Sequence, residues 1–73
     1  MSAQGVALFH TTSAALRAEK LAQKADIAGK LIPTPRQFSS DCGIALRFDW
    51  SRVDQVKAIL EMARVEIAGI HPL

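Results

Sequence analysis

Apolar positions along this chain come in short blocks, each with its own spacing, and polar or turn-forming residues separate them. Gly5 to Thr11 (Gly-Val-Ala-Leu-Phe-His-Thr) is apolar without helical spacing, which predicts a buried strand. Thr11, Thr12 and Ser13 follow as candidate N-caps, since a hydroxyl oxygen can accept from the first unpaired amides of a helix. From Ala14 to about Ala25, the residues Ala14, Ala18, Leu21, Ala22 and Ala25 share one face, while Arg17, Lys20 and Lys24 fall elsewhere. That pattern predicts an amphipathic helix, with Gly29 placed to end the segment. Lys30-Leu31-Ile32 reads as a second strand halted by Pro33, and a Pro/Ser/Asp-rich loop runs from there to Gly43. Gly43 to Phe48 reads as a third strand, with Ile44, Leu46 and Phe48 on one face and Ala45 and Arg47 on the other. Ser51-x-x-Asp54 has the form of a capping box with Asp in place of Glu. Behind it, Val53, Val56, Leu60 and Ala63 form the stripe of a second helix, widened by Ile59. Val65 to Ile70 predicts a last strand, ended by Pro72.

The order strand, helix, strand, strand, helix, strand is that of the ferredoxin-like βαββαβ fold. The expectation is one α+β domain over residues 1–73, with both helices on one face of a four-stranded antiparallel sheet. In the usual spatial order 4-1-3-2, the third strand starts where the first one ends. Cys42 and Gly43 should then lie near His10, Thr11 and the N-terminus of the first helix.

That position matters because Cys42 is the only cysteine of the 73 residues. It can form no internal disulfide. A chain this short buries only about 60–65% of the surface its unfolded form exposes, and small secreted domains usually add several disulfides. A reducing, cytoplasmic location fits one cysteine better. Met1 to Gly5 lacks the basic start and long apolar stretch of a signal peptide, and no apolar run approaches the ~18 residues of a membrane helix. Nine basic and seven acidic residues leave a formal charge of +2. So mild a balance, with no aromatic pair on the exposed face of Ile44-Ala45-Leu46-Arg47-Phe48, argues against nucleic acid.

Around Cys42 the sequence gathers groups that act on a thiol. A helix N-terminus, Arg or protonated His favours the thiolate, which points to Thr12, Ser13, Arg36 and His10. Ser39 and Ser40 can donate to sulfur or, as loop hydroxyls commonly do, bond to neighbouring backbone. Gly43 can let the backbone approach closely or take a positive φ. Arg47 can stabilise the thiolate or grip an anionic partner group, or be a solvated arginine. Asp41 opposes a thiolate next door. No third residue orients a Cys–His pair for hydrolysis, and one Cys with two separated His cannot close a zinc site.

Leu31-Ile32-Pro33-Thr34-Pro35-Arg36-x-x-Ser39-Ser40-x-Cys42-Gly43-x-Ala45-Leu46-Arg47-Phe48 resembles the signature of the small selenium/sulfur carrier protein-like family. Phe9-His10-Thr11-Thr12 and Ala18-Glu19-Lys20-Leu21 are similar to that family too, so the resemblance spans nearly the whole chain. It implies that Cys42 is the carrier residue, bearing a persulfide or selenopersulfide between donor and acceptor proteins. It implies a transfer protein needing no cofactor or metal, not an enzyme with turnover of its own. The Cys-Pro-x-Pro motif of other sulfur carriers is absent. The competing reading is a small interaction or regulatory module accessory to a redox or metalloenzyme system, with Cys42 structural. Finally, both faces of the first strand are apolar, Val6 and Leu8 against Ala7 and Phe9. Helices can cover only one of them, which predicts self-association as a homo-oligomer, or docking, through the open face.

Overall fold

A computed structural model describes residues 3–38 and 42–73. Its elements run β1 (Gln4–Leu8), α1 (Thr12–Lys24), β2 (Gly29–Pro33), β3 (Ile44–Asp49), α2 (Val53–Met62, entered through a 3-10 turn at Trp50–Arg52) and β4 (Gly69–Pro72). The strands form one antiparallel sheet in the order β2-β3-β1-β4, which is the expected 4-1-3-2 read from the other edge. This is the ferredoxin-like α+β sandwich.

Alternation along the strands divides the core in two. Ala7 and Phe9 of the first strand segment, with Leu46 and Phe48 of β3, pack against Ala15, Ala18 and Ala22 of α1 and Val56 and Leu60 of α2. The small alanines let α1 lie close to the sheet, and Val53, Ile59 and Ala63 flank the stripe of α2 as its spacing predicts. Gly5 has a packing reason of its own: a Cβ there would run into the Trp50 ring. Val6, Leu8 and Ala45 point to the other face, where Ile32 and Phe38 pack on them.

Element ends depart from the sequence reading. β1 stops at Leu8, because the chain turns at once into α1, whose N-cap Thr11 accepts from Ala14 N–H at 3.1 Å. Gly29 does not end α1. The helix closes earlier: Asp26 takes a left-handed φ of 60°, its N–H bonds Gln23 O at 3.1 Å, and Ile27 N–H bonds Ala22 O at 2.9 Å. This is a Schellman motif, and it frees Gly29 to begin β2. The end of α2 repeats it, with Arg64 at φ 57° and Val65 N–H on Leu60 O at 2.8 Å. Val65 is therefore consumed in closing α2, and the last strand starts at Gly69 instead of Val65. The Ser51–Asp54 capping box does not form. Ser51 lies inside the 3-10 turn, its N–H donating to the carboxylate of Asp49 at 3.0 Å.

The prediction of an uncovered apolar face is corrected as well. Val6, Leu8 and Ala45 are buried within the single chain. Phe38, in the loop after β2, packs on this helix-free face and stacks on His71 of β4, ring centroids 4.6 Å apart and 9° from parallel. Phe38, five residues beyond the end of edge strand β2, thus contacts the opposite edge strand β4. The apolar surface that would have called for a second copy is already covered.

Candidate functional site

Cys42 lies at the end of the loop, two residues before β3. The expected meeting of this residue with the start of α1 is present. Cys42 Sγ is 3.8 Å from Oγ1 of Thr12, the first residue of α1, and either atom can be the donor. The thiol is 4% exposed and shares the helix-side cluster with Ala7, Phe9 and Ala15. The first amides of a helix lack intrahelical partners, and its N-terminus is the positive end of the dipole.

The backbone of Cys42 is held by a residue that sequence reasoning passed over. Thr34 donates its hydroxyl to Cys42 O at 2.9 Å and its N–H to Gly43 O at 3.0 Å. Its neighbours Pro33 and Pro35 have no N–H, so Thr34 supplies the only backbone donor of that tripeptide. The signal was readable: a hydroxyl residue between two prolines, where β2 and β3 part. Phe38 was passed over too. A lone aromatic in a turn-rich loop is a sign that the loop folds back onto the protein, here through a turn in which Phe38 N–H bonds Pro35 O at 3.0 Å.

The other candidates divide. His10 is exposed on the connection into α1, and Ser13 is exposed in the helix's first turn. Arg36 is exposed in the turn that precedes Phe38. Ser39, Ser40 and Asp41 lie outside the described residues. Gly43 has no positive φ, and a Cβ there would meet nothing within 4 Å among the described residues, so neither expected reason finds support there. Its carbonyl is already engaged by Thr34 in an extension of the ladder. Arg47 is not brought to the thiol. It pairs with Val6 and Lys30 on the helix-free face, farther along β3, whereas Cys42 packs on the helix side.

With that geometry in place, comparison with known proteins gives one result. The chain belongs to the family described as "Putative Se/S carrier protein-like". The family's model matches residues 4–72, which takes in every strand, both helices and Cys42. No curated protein and no solved structure matches significantly. Cys42 is the one cysteine of the sequence. No helix of the described residues is long and apolar enough to cross a membrane.

Proposed function

We propose that this protein carries sulfur or selenium on Cys42, as a persulfide or selenopersulfide passed from a donor protein to an acceptor enzyme. The observation that carries the reading is the Thr12–Cys42 contact at the N-terminus of α1. That contact sets the sulfur beside a hydroxyl that can donate to it, at the first residue of a helix. In the loading step Cys42 Sγ attacks the terminal sulfur of a donor persulfide. The new bond joins Cys42 Sγ to that sulfur, the donor's S–S bond breaks, and its electron pair leaves with the donor thiolate. No external oxidant or reductant enters. Unloading is the same exchange with an acceptor nucleophile. A second thiol nearby could expel the cargo as sulfide, so one cysteine suits the task. The burial of Cys42 means that transfer proceeds through local opening of the loop end or first helical turn. The cytoplasm, where an isolated thiol stays reduced, is the compartment for such exchange.

That same burial favours the second reading, an accessory module in which Cys42 only fills the core, as free cysteines commonly do. Incubation with a cysteine desulfurase and cysteine, followed by intact mass with and without reductant, separates the two. A reductant-sensitive gain of one sulfur in the wild type and none in Cys42→Ser supports the carrier. An unmodified wild type, with the desulfurase itself loaded, rejects it.

A further inference from the structure

The β2–β3 register sets Lys30 directly opposite Arg47. Arg47 alternates with Leu46 and Phe48, which pack toward the helices, so both cations stand on the helix-free face. Like charges directly opposite each other destabilise a strand pair. The ladder offers no relief, because the cross-strand neighbours of Arg47 are Val6 and Lys30, and Lys30, on an edge strand, faces Arg47 alone. Asp49, next on this face of β3, is engaged in capping Ser51 N–H at 3.0 Å. The two cations, with Gln4, Ala28 and Gly29, line an open cleft of about 200 Å³.

We propose that this cleft docks a carboxylate-bearing segment of a partner protein. The Arg47 guanidinium offers the planar fork that matches a carboxylate, Lys30 adds a second positive charge, and the Gln4 amide can donate beside them. A protein segment fits better than a nucleic acid, because the cleft is a single point of charge and not a row of cations tracking a phosphate backbone. It also fits better than a free anion. Two exposed cations hold one small ion weakly in salt, whereas a segment bearing several carboxylates makes repeated contacts. The site is on the face opposite the one Cys42 packs on and does not depend on what that thiol does.

Amide chemical shifts of the ¹⁵N-labelled protein, followed at low salt, test this with hexaglutamate as the probe. Inorganic phosphate and a hexauridylate are run as separate arms. Hexaglutamate is expected to shift residues 4, 28–30 and 47 saturably, and Lys30→Glu with Arg47→Glu to weaken that binding by about tenfold, the loss of two exposed charge contacts. Lys30→Gln with Arg47→Gln should weaken it less, and Lys20→Glu with Lys24→Glu on α1 should change it less than twofold. Equal losses from the α1 pair would overturn the proposal. So would phosphate saturating the same signals at the same concentration, or hexauridylate binding them more tightly.

Discussion

The two faces of this sheet solve the same problem with different materials. On one, Ala7, Phe9, Leu46 and Phe48 lie under two helices, each with its own hydrogen bonds and an apolar stripe spread over several turns. On the other, Val6, Leu8 and Ala45 lie under Ile32 and under Phe38 of the following loop, whose ring stacks on His71. A helix that loses one contact keeps its neighbours. Among the described residues that cover rests on two side chains and has less reserve, so the second face should be the softer, and Cys42 follows it at the start of β3.

The largest effect expected from breaking this contrast is on the helix side. Phe48→Ala should cost about 3–5 kcal/mol, as aromatic truncation in a core does. Against a total of roughly 4–11 kcal/mol for a chain of this length, that brings the protein near unfolding. Urea titration reads it directly, and a loss below 1 kcal/mol would mean that the helix layer is not the main core. Phe38→Ala should cost less, about 1–3 kcal/mol, because the ring is half-buried. Its more telling consequence is surface: Val6, Leu8 and Ala45 become exposed, and sedimentation should show concentration-dependent self-association stronger than that of the wild type. A monomeric Phe38→Ala protein of unchanged stability would show that the loop does not seal this face. Gly43→Ala should have the smallest effect, and of opposite sign. With open space and no positive φ, it should gain about 0.4–1 kcal/mol by restricting the unfolded chain. A loss in thermal midpoint would place a constraint at Gly43 that the backbone does not reveal.

Periodicity carried most of the architecture. The strand order, the stripes of both helices, the side on which Arg47 lies and the approach of Cys42 to Thr12 all follow from alternation and connection rules. Ends were less legible, since a left-handed cap is usually glycine and here falls to Asp26 and Arg64. Local residue type gave no sign of it, and the sequence reading moved the stop to Gly29 and began the last strand too early. Asp49 outcompeted Ser51 as a cap because the 3-10 turn places Ser51 N–H over its carboxylate. Phe38 escaped for another reason. Its partner His71 is distant in sequence, and no period links a loop to the far edge of a sheet.

The reading of Cys42 as a transfer thiol requires that it open locally, without unfolding the whole domain. The rate of iodoacetamide labelling at Cys42, measured in rising urea well below the unfolding midpoint, tests that most directly. A rate nearly independent of urea, and faster than global unfolding allows, is the predicted result. Labelling that accelerates with urea at the full slope of global unfolding, so that the thiol reacts only in unfolded molecules, would contradict it.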